Sequence, residues 1–203
     1  MQEKSPRRSN PERTEATRAV LLAAARRLFT EKGYAETGTP EIVAAAGVTR
    51  GALYHHFADK RALFAALVEQ ESALVASAIE EDTAESADPV DALSEGSRAF
   101  FRAMAVPGRC RLLLIDGPAV LGRAEMDRID LSNGAGSLRD GLSAAIAAGS
   151  IRPLPLDVLT AQLSALFDRA ALGVDQGDNL EDHVEVVAAI IRGLAPRLSP
   201  ARR

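Results

Sequence analysis

The stretch "TPEIVAAAGVTRGALYHHFADK", residues 39–60, sets two short apolar runs on either side of Ala46-Gly47-Val48. Thr39-Pro40 reads as a helix start: a capping hydroxyl followed by a proline whose fixed φ suits the first turn. Gly47 predicts the end of that helix, because glycine enters the left-handed conformation at low cost. Thr49 then caps a third helix whose inward residues are Leu53 and Phe57, one turn apart. Asp59 caps a fourth. Two short helices joined by a tight turn and packed on a longer one make a helix-turn-helix.

With Leu53 and Phe57 inward, Arg50, Tyr54 and the first histidine fall on other sides of the third helix. Thr49 to Ala52 are small apart from Arg50, so this helix end can enter a groove while Arg50 offers paired donors to a guanine edge. Tyr54 and His55 or His56 can donate to phosphate oxygens, contacts that set register. Lys60, in the first turn of the fourth helix, opposes the helix dipole, and a bound phosphate would resolve that conflict. Neighbouring histidines point about 100° apart on a helix and do not readily chelate one ion, so no metal site is expected.

Working outward, residues 1–10 read as a disordered basic arm. A first helix begins near Asn10-Pro11 or Thr14 and ends at Gly33. Val20, Ala24 and Leu28 form one column of its apolar stripe, and Leu21, Ala25 and Phe29 the adjacent one. The fourth helix runs apolar through Leu63, Phe64, Leu67, Val68, Leu74 and Val75 towards "EEDTAESADP". Further helices are expected at 89–105, 109–116, 118–149 (interrupted near Asn133-Gly134), 155–175 and 180–196. No useful period-2 pattern occurs, so the expected class is all-α, ending in a flexible tail at 197–203.

Composition narrows the function. Among the 203 residues 47% are hydrophobic and 26% charged, which suits a globular chain. No continuous apolar run reaches the roughly 18 residues of a membrane span. "MQEKSPRRSNPER" lacks the apolar centre of a secretory signal, so no membrane partner and a cytoplasmic location are expected. Cys110 is the single cysteine, which excludes an intrachain disulfide and a zinc site of paired thiolates. Residues 1–60 hold 10 Lys/Arg against 7 Asp/Glu, and residues 61–203 hold 14 against 21. A basic head on an acidic body suits local contact with a polyanion. There is no glycine-rich phosphate cradle and no nucleophile elbow, so neither catalytic residues nor a cofactor are expected. An enzymatic reading would have only isolated groups such as Arg102, Asp116 and His183. A helical adaptor that binds protein alone is the other alternative.

Residues 14–68 carry "A..LF.E.GY..T", "IV.AAGV" and "G.LY.HF..K..L", and in this they closely resemble the DNA-binding domain of TetR-family transcriptional regulators. The resemblance implies a DNA-binding domain at 11–58 and an effector-binding, dimerising helical domain at 59–196. It places Thr39, Thr49, Arg50, Gly51, Ala52, Tyr54, His55, His56 and Lys60 at DNA-contacting positions, with Arg50 and Ala52 reading bases. It further implies a homodimeric repressor on a palindromic operator in double-stranded DNA, released by a small-molecule effector. "CRLLLIDGPAVLG", residues 110–122, resembles one branch of the family in which tryptophans follow, whereas "RAEMDRID" follows here.

For the effector pocket the expected lining is Phe100, Phe101, Met104, Leu112, Leu113, Leu121 and Met126, with Arg102 or Asp116 as polar anchors. The low aromatic content favours an aliphatic or mixed ligand. The last two long helices carry apolar stripes at helical spacing, which would serve either as monomer core or, as the resemblance implies, as a homodimer interface. The interface residues expected are Leu159, Leu163, Leu166, Ala170, Val184, Val187 and Ile191.

Overall fold

A computed structural model of the chain describes residues 10–84, 86 and 88–196. The expected basic arm, apart from Asn10, and the expected tail lie outside the described residues. No strand occurs among those described. The helices are α1 (Asn10–Lys32), α2 (Thr39–Ala46), α3 (Arg50–His56), α4 (Lys60–Thr83), α5 (Pro89–Met104), α6 (Gly117–Leu121), α7 (Arg123–Leu131), α8 (Gly134–Ala147), α9 (Leu156–Asp175) and α10 (Leu180–Arg192), with a π-helical turn at Arg111–Asp116 before α6. The chain divides into two compact units, one up to Val68 and one from Glu69 onward.

In the first unit Leu21, Leu22, Ala25 and Phe29 of α1 meet Ile42 of α2, Leu53 of α3 and Leu63, Phe64 and Leu67 of α4 in one core, all of them buried. Phe29 and Phe64 pack edge to face at 5.3 Å, and Tyr34 closes on Phe64 at 5.0 Å. Each such side chain removed from water stabilises the fold by about 1.5–3 kcal/mol. Because Leu63, Phe64 and Leu67 belong to this core, the unit continues past the boundary expected at residue 58, through the first turns of α4. Leu22 takes the place expected for Val20, which is 42% exposed.

The caps follow from sequence. Gly33 and Gly47 end α1 and α2 with φ of 87° and 66°. The Thr49 hydroxyl accepts from the Ala52 N–H at 3.2 Å, and an Asp59 carboxylate oxygen from the Ala62 N–H at 2.7 Å. One start differs from expectation. The cap of α2 is Gly38, and Thr39 is already helical. The Glu41 side chain accepts from the Gly38 N–H at 3.4 Å, while Lys32 donates to Glu41 at 2.6 Å, and the first-turn N–H groups of Glu41 and Ile42 donate to the Gly38 carbonyl rather than to a hydroxyl.

In the second unit α5 packs against α8, α9 and α10, and α8 also packs on α7 and α9. Leu93, Phe101, Met104, Leu112, Ile129, Leu142, Leu163, Val187 and Ile191 are buried there. A buried ion pair, Arg109 Nε to Glu71 at 2.8 Å, is completed by Arg109 donating to the Ala103 carbonyl at 2.6 Å. Cys110 is buried, and burial is the main cause that pushes its thiol up to about 11. It is a packing residue with little thiolate character.

Three expectations are corrected here. The segment expected as 118–149 is broken at Gly122 (φ 84°) as well as near Asn133. Leu74 is 47% exposed, one position off the buried row that holds Val75. Of the residues expected at a dimer interface, Leu159, Leu163, Ala170, Val184, Val187 and Ile191 are buried within the single chain, and Leu166 is half-buried. These stripes are monomer core. The large apolar side chains that α9 and α10 leave exposed are Val158, Val186 and Ile190. The 24-residue α4 contains an 18-residue window of mean hydropathy 1.4, and Leu63, Phe64, Leu67, Val68 and Val75 account for much of it as core.

Candidate nucleic-acid interface and effector cavity

On α3 the inward anchors Leu53 and Phe57 are buried, and they turn Thr49, Arg50, Gly51, Tyr54 and His55 outward, where all five are exposed. Ala52, His56 and Thr39 are half-buried beside them. Hydrogen bonding by Thr39 first, and then by Arg50, holds the Tyr54 phenol below its ordinary pKa. The Arg50 guanidinium lies 5.5 Å from the Tyr54 ring centroid. Thr39 of α2 is thereby joined to Arg50 and Tyr54 of α3 in one polar cluster. The rings of His55 and His56 meet edge to face at 5.3 Å.

Gly51 is informative because packing among the described residues does not require it. A Cβ built there would meet only Thr49 Oγ1, at 3.9 Å. With no side chain at this exposed position in the first turn of α3, the backbone there is open to close approach.

Lys60 corrects the expectation that it is displayed with Arg50 and Tyr54. Its ammonium donates to the carbonyl oxygens of Tyr34 at 2.9 Å and Thr37 at 3.0 Å and lies 4.0 Å from the Tyr34 ring centroid. Half-buried, it ties the start of α4 to the loop that follows α1. The conflict with the helix dipole is met by protein carbonyls.

The second unit contains a cavity of about 870 Å³, within the range for drug-sized ligands. Of the residues expected to line it, Phe100, Met104, Leu113 and Met126 do. Phe101, Leu112 and Leu121 do not, being packed into the surrounding core. Arg102 pairs with Asp82 and Asp116 with Arg111, so neither is the anchor expected. His183 meets Asp178 at 3.2 Å, and neither lines the cavity. Arg102, Asp116 and His183 therefore do not converge on it.

The wall that sequence reasoning missed is α9. Thr160, Ser164 and Asp168, each four residues from the next, line the cavity. Ser164 Oγ donates to Asp130 Oδ2 of α7 at 3.2 Å, which brings Asp130 to the same side. Burial, and secondly the Asp130 charge, pushes the Asp168 carboxyl up to about 6, while Arg123 acts the other way. A polar column recurring every fourth residue, Thr160, Ser164 and Asp168, on a helix rich in Leu and Ala was the available signal.

The family profile described as "Bacterial regulatory proteins, tetR family" matches residues 21–67, and one described as "Tetracyclin repressor-like, C-terminal domain" matches residues 90–198. The chain is 29% identical over 191 residues to the HTH-type transcriptional repressor AcnR of Corynebacterium diphtheriae, covering 88% of this chain and 93% of that one. It is 36% identical over 108 residues to the HTH-type transcriptional regulator AcrR of Shigella flexneri, 53% of this chain and 50% of that one. Among solved structures, a TetR-family transcriptional regulator from Pectobacterium atrosepticum superposes with a TM-score of 0.71 at 30% identity, covering 93% of this chain and 98% of that one.

Proposed function

The chain belongs to the tetR family of bacterial regulatory proteins and is a DNA-binding transcriptional regulator, and from that premise we propose that it is a cytoplasmic homodimeric repressor, released from a palindromic operator by a small molecule. The exposed start of α3 carries this reading. Arg50 stands between Thr49 and Gly51, and the absence of a side chain at Gly51 lets the helix end approach a groove closely. In this reading Arg50 and Ala52 meet base edges. Thr39, Tyr54, His55 and His56 meet phosphates, and Lys60 keeps one ammonium proton for the same use. One short helix reads few base pairs, whereas two copies on a palindrome multiply the discrimination. The exposed Val158, Val186 and Ile190 supply an apolar surface for pairing the copies through α9 and α10. The cavity supplies the effector site, and α4, which holds Lys60 in its first turn and lines the cavity with Ser72, Val75 and Ile79, is the element through which occupancy reaches the DNA-binding unit.

Footprinting of the purified protein on DNA flanking its own coding region tests the reading. Protection of a short inverted repeat that weakens steeply with salt is the expected result. Equal affinity for every duplex offered would remove it.

A further inference from the structure

Charged groups around the cavity sort by depth. Glu80, Arg123, Asp127, Arg139, Asp157 and Arg169 are all exposed. Arg123 pairs with Asp127 and Arg139 with Asp157, both at 3.1 Å. These are exposed charges, largely screened by solvent, although the Arg123 charge still acts on the Asp168 carboxyl. The charged lining residues that are not exposed, among those described, are two carboxylates, Asp130 and Asp168; no Lys, Arg or His joins them.

The apolar wall has a matching character. Phe100 and Phe167 stand with ring centroids 5.5 Å apart and both line the cavity. Aromatic faces are electron-rich and attract cations. Met104 and Met126 add polarizable side chains that adapt to irregular shapes. Burial first and the Asp130 charge second push the Asp168 carboxyl upward, and the Arg123 charge acts the other way. A carboxylate pushed up by burial and by a second carboxylate is stabilised by an incoming cation.

Resting on the reading of this cavity as the effector site, we infer that its ligand is a lipophilic organic cation, held by Asp168 and Asp130 beside the rings of Phe100 and Phe167. The ligand's apolar body occupies the space between α5, α7 and α9, and its protonated amine or quaternary centre lies against the α9 carboxylate. The exposed arginines do not make this an anion site, because two of the three are already paired at the rim and none is inside.

Two probes of nearly one shape and opposite charge decide it: tetraphenylphosphonium and tetraphenylborate, titrated calorimetrically into the full-length protein. The cation should bind at least about tenfold more tightly than the anion. Asp168→Asn should abolish that preference and Asp168→Glu should keep part of it, each variant first shown to melt cooperatively. Ala161→Trp, which adds a ring to the cavity wall, should weaken whichever probe binds inside. Preference for the borate, blocked by Ala161→Trp, would overturn the cationic class and leave the effector cavity standing. Cation binding indifferent to Asp168→Asn would overturn the anchor. Failure of both probes to bind, or binding indifferent to Ala161→Trp, would remove the inference and count against the cavity itself as the effector site.

Discussion

Arg50, Lys60 and Asp168 show three different fates for a charged side chain. Arg50 is exposed and lies against its neighbour Tyr54. Arg50→Ala should cost roughly 1–3 kcal/mol of operator affinity and relax one base preference, read by binding to single-base variants of the protected site. Lys60 has become structural. Lys60→Ala leaves the Tyr34 and Thr37 carbonyls without their donor and should destabilise the protein by about 1–3 kcal/mol, read as a lower denaturation midpoint. An unchanged midpoint with a shallower salt dependence of DNA binding would return Lys60 to a phosphate-only role. Asp168 costs stability. Its folded pKa of about 6 lies above its ordinary 3.8, so the folded state holds the proton more tightly, and stability is lost as pH rises between those values. Two units correspond to roughly 3 kcal/mol at most. Asp168→Asn should therefore raise the melting temperature relative to wild type near pH 7.5 and hardly change it near pH 4. The exposure of Arg50 could be read from the spacing of Leu53 and Phe57. The engagement of Lys60 could not, because its carbonyl partners lie 26 and 23 residues upstream and helical period says nothing about them.

Elements whose ends are set by local chemistry were legible. Gly33, Gly47, Thr49 and Asp59 each act within a few residues of themselves, and α1 to α4 begin or end where they stand. Elements shaped by close approach were not. The π-turn before α6 requires Gly117, where a Cβ would lie 2.9 Å from the Leu112 carbonyl oxygen and 3.0 Å from Met126 Sδ. Gly117→Ala should lower stability by about 1–3 kcal/mol, checked by chemical denaturation. Since Leu112 is backbone here and Met126 also lines the cavity, the same substitution should disturb ligand affinity as well. The break at Gly122 was missed for a related reason: a glycine between two helix-compatible segments signals a stop only once its positive φ is known.

For the molecule as a whole, stripes at helical spacing identify faces that leave water but not what covers them. Leu163 and Val187 are covered by their own chain, whereas Val158, Val186 and Ile190 are not. Val186→Asp with Ile190→Asp should therefore yield a folded monomer with greatly weakened operator binding, measured by sedimentation equilibrium and gel shift. Leu163→Ala should instead cost about 2–5 kcal/mol of stability. A dimer that survived the double substitution would place the pairing surface elsewhere. The amino-acid sequence by itself determined the all-α class, the helix-turn-helix and the outward side of α3, because caps, turns and helical period operate within a few residues. Tertiary structure alone decided that Lys60 is occupied, that the interface stripes are core, and that Asp130 and Asp168 share a cavity, because each depends on which distant segments pack together and which space they leave unfilled.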